Sequence, residues 1–283
     1  MALTDRAYLK SLLERHGFTF SKAMGQNFLV NPSVCPRMAE FGGAREGAGV
    51  LEIGPGVGVL TAELARRAER VVCIELDKRL PPILAETLAE FDNVEIILGD
   101  VMEVDLESVI AEKFAGMPVS VCANLPYYIT TPILMRLLEA RLPIESITVM
   151  VQKEAAVRLC SAPGEKECGA ISAAIAYFSE AKQLFSVSAG SFMPAPKVDS
   201  AVIRLDVNKT PPVSPKDEKF MFEVVRGAFS QRRKTVVNAL SAYLKRDKAE
   251  ITAALSECGL DATIRAERLT LQNFSDLSDA LRK

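Results

Sequence analysis

The chain has a single histidine, no tryptophan and no CxxC pair among its 283 residues. No apolar run approaches the roughly eighteen residues of a membrane span, and the formal charge is only -2. Each shortage removes a class of function. With His16 alone, in a polar N-terminal stretch, Ser-His-Asp and Cys-His mechanisms are set aside. The cysteines (Cys35, Cys73, Cys122, Cys160, Cys168 and Cys258) lack the spacing of zinc ligands or of a disulfide frame, so no metal is expected. They read as buried thiols of a reducing compartment. Near-neutral charge excludes a strong general affinity for nucleic acid, so any such contact must rest on a local basic face. The N-terminal stretch mixes both charge signs and shows no apolar run followed by a cleavage site. A cytoplasmic protein with no membrane partner is expected.

What is present is a good core, at 49% apolar residues, and a repeating pattern. The runs GVLEIGP, RVVCIELD, NVEIILGD, VSVCANLP and ESITVMVQ are nearly continuous in Val, Ile and Leu. Between them lie stretches of helical spacing such as GVLTAELARRA and PPILAETLAEF. That alternation predicts an α/β fold with a mostly parallel sheet covered on both faces. KQLFSVS and SAVIRLDV follow with no long helix between them, which predicts an antiparallel closing hairpin. The prolines of NKTPPVSPKDE then break the pattern. Residues 1–208 are expected to form the first domain and residues 209–283 a small α-helical C-terminal domain, with KFMFEVVRGAFSQRRKTVVNALSAYL helical throughout.

Ligands of an open parallel sheet sit outside the carboxyl ends of its strands. Read in order, those ends carry Glu52 with Gly54, Gly56 and Gly58, then Glu75 and Asp77, then Asp100, then Asn124. Glycines let the backbone approach a ligand, and a carboxylate about twenty residues further on can accept both hydrogens of a ribose diol. Any one of these features is common, and Asp100 can equally cap the turn that follows it. Their recurrence at successive strand ends points to a nucleoside ligand. The spacing is G-x-G-x-G, with Val59 where the third glycine of the dinucleotide fingerprint belongs, and no Lys-Ser/Thr follows. Glu52 would repel a pyrophosphate but suit an ammonium or sulfonium. S-adenosyl-L-methionine is therefore favoured over a nicotinamide dinucleotide.

The fourth strand leaves through NLPYY. An exocyclic adenine amine is a poor nucleophile because its lone pair is delocalised into the ring. Two acceptors on its hydrogens, the Asn124 side-chain oxygen and the Leu125 carbonyl, would draw it toward tetrahedral geometry. Pro126 would fix the kink that turns the Leu125 carbonyl into the site. Tyr127 can stack on the base, and SFMPAPKVDS offers Phe192 as a second aromatic. The target base must leave its stack to enter such a pocket. Positioning and electrostatics then suffice, without a strong general base.

KAMGQNFL, LEIGPGVGVLT, IELD, ANLPYYITTPIL, MVQKEAAVRL, FMPAPKVDSAVIRL and AFSQRRKT together resemble the ribosomal RNA adenine dimethyltransferase family, from about Ser21 to Thr235. The likeness is nearest to its bacterial small-subunit branch. It implies a Rossmann-like class I methyltransferase sheet with a helical C-terminal domain. It also implies dimethylation of N6 of two adjacent adenosines near the 3′ end of 16S ribosomal RNA; a monomer acting within a small ribosomal subunit or its precursor is expected. By the same resemblance, Asn27, Leu29 and Gly54 would hold the methionine end of S-adenosyl-L-methionine. Glu75 would hold its ribose, Asp100 its adenine amine, and Asn124 its reactive end together with the target amine; Phe192 would face the target base. The sequence departs from the family at Tyr128, where Asn is common, and at Cys168 and Ala170. A large-subunit enzyme, or a non-catalytic assembly or transcription factor of the same fold, is the alternative.

For RNA, the candidate contacts are Arg226, Arg232, Arg233 and Lys234, a basic cluster on an otherwise neutral chain.

Overall fold

A computed structural model describes residues 3–21 and 25–282. Lys22, Ala23 and Met24 of the KAMGQNFL motif lie outside the described residues. The chain opens with α1 (Arg6–Arg15), started by the Asp5 carboxylate, which accepts from the amides of Ala7 and Tyr8 at 2.9 Å. Its Leu9, Leu12 and Leu13 form the buried stripe that helical spacing produces. Next come β1 (Phe28–Leu29) and α2 (Val34–Phe41). The alternating series follows: β2 (Gly49–Ile53), α3 (Val59–Ala65), β3 (Arg70–Glu75), α4 (Pro81–Thr87), β4 (Val94–Leu98), α5 (Leu106–Phe114), β5 (Val119–Asn124), α6 (Thr130–Glu139) and β6 (Ile144–Gln152). After α7 (Lys153–Leu159) and α8 (Ala170–Phe178), the chain returns as β7 (Ser179–Val187), β8 (Phe192–Met193) and β9 (Ser200–Val207).

The main sheet has seven strands in the order β4-β3-β2-β5-β6-β9-β7. The pairs β4/β3, β3/β2, β2/β5 and β5/β6 are parallel, while β9 runs antiparallel to β6 and, with β7 beside it, closes the sheet. Ile53 stands level with Ile74 on one side and Ala123 on the other. The residues that follow these strands therefore share one rim. Strand order reverses between β2 and β5, the position where open α/β sheets bind ligands. Val50, Leu51, Val71, Val72, Val121 and Cys122 are wholly buried, as expected of strands covered on both faces. β4 differs, since it is the edge strand: its apolar run is only half-buried and Leu98 is 48% exposed.

By contacts the chain forms two compact units, Met1–Ala156 with Lys182–Val207, and Val157–Ala181 with Asn208–Lys283. Residues 157–181, placed in the first domain by the sequence reading, cluster with the helical unit. The physical reason is aromatic packing: Phe178 of α8 stacks on Phe222 at 5.6 Å, and Tyr177 meets the same ring edge-on. That unit is built from α8, α9 (Glu218–Phe229), α10 (Val236–Leu244), α11 (Lys248–Glu257) and α12 (Leu271–Leu281). Gly227 lets α9 approach α10 closely, because a Cβ there would meet the Tyr243 ring at 2.8 Å and Leu240 at 2.9 Å. The stretch QRRK, expected to be helical, is instead the turn between α9 and α10. Thr235 ends it by capping α10, its hydroxyl oxygen accepting from the Asn238 amide.

Candidate active site

A cleft of about 1150 Å³, counting its open mouth, lies at the carboxyl ends of β2, β3, β4 and β5. Gly54, Glu75, Asp100 and Asn124 line it in strand order, and Leu125, Pro126, Tyr127 and Phe192 continue the wall. Asn27 and Leu29 come to the same cleft from β1 and the residues before it. The expected cofactor and catalytic residues are thus brought together in one cavity. Arg226, Arg232, Arg233 and Lys234 belong to the helical unit, all of them exposed.

On the β2–β3 side, Gly54 and Gly56 have positive φ (69° and 60°), a conformation that favours glycine. A Cβ on Gly54 would project into open space, whereas one on Gly56 would press on the Phe28 ring at 3.1 Å. Glu75 is 5% exposed; its carboxylate accepts from the Asp77 amide (2.7 Å) and the Gly56 amide (3.4 Å). Burial pushes its pKa up, and the two amides pull it back. Asp77, two residues on, does not line the cleft. Its carboxylate accepts from the Arg79 guanidinium (2.6 and 2.9 Å) and from the Gln26 amide (2.7 Å), and the Arg79 pairing pushes its pKa down to about 2. Of the two carboxylates open as ribose acceptors on sequence, only Glu75 faces the cavity.

Asp100 combines both readings of it. One carboxylate oxygen accepts from the Met102 amide at 2.8 Å, shaping the turn after β4, while the residue lines the cleft. Glu52 also lines the cleft and is 1% exposed, with the Cys73 thiol donating to it at 3.5 Å. Burial raises its pKa to about 7, and the nearby Glu75 charge adds to the rise. A carboxylate buried in this way would gain from a cationic ligand, which favours its charged form.

On the β5 side, Asn124 ends the strand and Leu125 is buried. The Pro126 carbonyl accepts from the Ile129 amide (3.2 Å) and the Thr130 hydroxyl (3.1 Å), which fixes the turn into α6. The Tyr127 hydroxyl is hydrogen-bonded to the Ser200 hydroxyl at 2.6 Å, so the ring is held at its far end. Phe192 is 1% exposed and pairs with Leu29 in the short β1–β8 ladder. Tyr128 is 63% exposed on the cavity lip, where its ring packs against Gly25. His16 is engaged with Glu86 at 2.8 Å and is not among the lining residues. Sequence reading missed Gln26, Arg79 and Ser200 as partners of the site; GQNFL and ELDKR show the residues but not their pairing across the fold.

These groups suit a ligand with a ribose, an exocyclic amine and a cationic tail. Residues 17–283 match the family described as ribosomal RNA adenine dimethylase. The chain belongs to that family. It is 48% identical over 276 residues to a ribosomal RNA small subunit methyltransferase A of Geobacillus sp. (strain WCH70), covering 96% of this chain and 95% of that one. It is also 48% identical over 278 residues to the protein of that name from Shouchella clausii (strain KSM-K16), covering 97% and 94%. Among solved structures, the 23S rRNA methyltransferase ErmE superposes with a TM-score of 0.70 at 28% identity, over 91% of this chain and 100% of that one. A dimethyladenosine transferase from Plasmodium falciparum gives 0.72 at 24% identity over 88% and 95%, a likeness of fold. Like the family, this chain is an S-adenosyl-L-methionine-dependent rRNA adenine N6,N6-dimethyltransferase.

Proposed function

We propose that the protein dimethylates the N6 amines of two adjacent adenosines near the 3′ end of 16S ribosomal RNA during small-subunit biogenesis. The observation that carries this reading is the convergence of Asn124, Leu125 and Tyr127 with Gly54, Glu75 and Asp100 on one cleft. S-adenosyl-L-methionine supplies an electrophilic methyl group when bound. Asn27, Leu29 and Gly54 would hold its amino-acid end, Glu75 its ribose and Asp100 its adenine. The Asn124 side-chain oxygen and the Leu125 carbonyl would accept hydrogen bonds from the two N–H groups of the target amine in the first transfer, and one of them from the single remaining N–H in the second, localising the lone pair. Pro126 keeps that carbonyl turned inward, and Tyr127, held by Ser200, gives the flipped base a face to stack on, worth roughly 1–3 kcal/mol. Phe192 backs the pocket as a buried wall. Each N–CH3 bond formed would break the donor's S–CH3 bond, leave a neutral thioether and release one amine proton, so no strong base is required and positioning and electrostatics carry the reaction.

Arg226, Arg232, Arg233 and Lys234 form the phosphate-binding patch of the helical unit. Such a local patch favours a folded ribosomal particle, a small subunit or its precursor, over naked RNA. We take the working form to be a cytoplasmic monomer; no helix of the described residues is long and apolar enough to cross a membrane.

The test is to incubate the protein with unmethylated small subunits, or with large-subunit RNA, and methyl-labelled cofactor, then map the modified bases. Paired N6-dimethyladenosines near the 3′ end of 16S RNA are expected. Label confined to large-subunit RNA would select the alternative reading, and no label at all the non-catalytic one.

A further inference from the structure

Four contacts converge on the segment that precedes β1. Gln26 donates to Asp77 (2.7 Å), and its own side-chain oxygen accepts from the Ser21 amide (3.0 Å). Arg79, bound to the same Asp77 carboxylate, also donates to the Thr19 carbonyl at 3.1 Å and lies over the Phe18 ring at 4.7 Å. Phe18, Phe20 and Phe28 pack on one another at 5.4–6.1 Å, and Phe28 covers Gly56 of the glycine-rich turn. Further along, Gly25 rests on Pro126 and Tyr128, and β1 pairs with β8. The strap Gly25–Leu29 therefore crosses the cavity from the cofactor side to the catalytic side. Asp77 is where it is fastened. The same residue's amide holds Glu75, so the fastening and the ribose acceptor share one backbone turn.

We propose that Gln26, Asp77 and Arg79 form a clasp that positions the strap over the cofactor, so that cofactor affinity depends on Asp77 and Arg79, which lie outside the cleft lining, as well as on Gln26, which is part of it. A carboxylate that is 5% exposed and bound by a guanidinium is a rigid anchor, because leaving it unpaired in that position is unfavourable. Arg79 reaches the strap region both through the Thr19 carbonyl and through the Phe18 ring, while Gln26 reaches it directly. The two are thus arms of one device and share its effect. Asp77 and Arg79 are positioning residues; the catalytic oxygens lie across the cleft.

The inference rests on the assignment of the cavity to the cofactor, and the experiment separates the two. Calorimetry measures S-adenosyl-L-methionine and S-adenosylhomocysteine binding to the full-length protein, to Gln26→Ala, to Arg79→Ala and to the double variant. Hydrogen exchange follows the Leu29 and Val30 amides without ligand. Arg79→Ala is expected to weaken cofactor binding about tenfold and Gln26→Ala about fivefold. The double variant should be no weaker than about twofold beyond Arg79→Ala, since both arms act through Asp77. Strap amides should exchange at least tenfold faster, KM for the cofactor should rise more than kcat falls, and Arg79→Lys should restore part of the affinity. The unliganded Gln26→Ala protein should melt within about 2 °C of the parent, which separates a clasp from a general fold defect if Arg79→Ala does not fold. Cofactor binding by Gln26→Ala within twofold of the parent, or unaltered strap exchange, would overturn the clasp. A parent protein that bound neither ligand would overturn the cavity assignment instead.

Discussion

Glu75 and Glu52, which line the cleft, and Asp77 behind its wall are each at most 5% exposed, and Glu75 and Asp77 already accept hydrogen bonds at 2.7 Å or less. In the turn between α9 and α10, Arg232, Arg233 and Lys234 are exposed and enter no ion pair among the described residues. The difference separates two kinds of recognition. Buried, pre-bonded groups hold a small ligand in one geometry and are sensitive to sub-ångström change. Exposed cations on flexible stems meet a phosphate backbone whose contacts are interchangeable and screened by salt. On the proposed function, the first kind serves where a methyl must be delivered to a chosen nitrogen, and the second where a large particle must be held.

The contrast is broken most severely at Asn124. Asn124→Ala should cut single-turnover methyl transfer about 10³-fold, as loss of one preorganised polar group at a reacting centre does. Cofactor affinity should fall far less, and labelled transfer beside calorimetry measures both. A parallel loss of the two would mean that the residue only holds the cofactor. In the turn, Arg232→Ala with Arg233→Ala should lower small-subunit affinity about tenfold at moderate salt, and reduce the slope of log affinity against log salt by about 2. Filter binding across a salt series checks it, with cofactor binding as the control. A uniform loss with an unaltered slope would remove these residues from phosphate contact.

Glu52 sharpens the comparison by pH. Its pKa, raised to about 7 in the fold, means the neutral form stabilises the native state. That contribution is full below the unfolded value and is lost as pH rises through about 7. Glu52→Gln should therefore stabilise the free protein at pH 8, by about 1–3 kcal/mol, as read by chemical denaturation. A cationic cofactor favours the carboxylate, so parent affinity should rise about five- to tenfold from pH 6 to 7.5. The variant should show a flat profile; an identical slope in both would exclude Glu52. The smallest effect is expected at Tyr127→Phe, which removes the bond to Ser200 but keeps the ring. A two- to fivefold fall in kcat, typical of one neutral hydrogen bond, should appear in steady-state kinetics, against a much larger fall for Tyr127→Ala.

Much of the cleft was legible along the chain because strand-to-helix junctions recur with the period of the fold. Gly54, Glu75, Asp100 and Asn124 each stand at the end of an apolar run, buried in all but the edge strand β4, and the parallel register puts such ends on one rim. Phe192 was legible as an aromatic but not as a wall. Its partner Leu29 lies far away in sequence, in a two-residue strand too short for any periodic signal. The strand-end pattern left Glu75 and Asp77 both open, and only the family resemblance named Glu75. Both stand at the end of β3, and only the approach of Arg79 and Gln26 turns one of them away from the cavity. QRRK looked helical because its flanks are; the cap at Thr235 outweighs the propensity of the intervening residues.

The amino-acid order alone determined the alternation of strands and helices, the identity of the strand-end groups and the break before the helical unit. These follow from hydrophobic periodicity and from the conformational limits of proline and glycine, which act locally. Only the tertiary structure decided how Asp77 is turned out of the cleft while Glu75 lines it, which residues bond to the segment before β1 and where residues 157–181 belong. Those outcomes depend on which surfaces meet across long stretches of chain, and burial changes what a charged or aromatic side chain does once they have met.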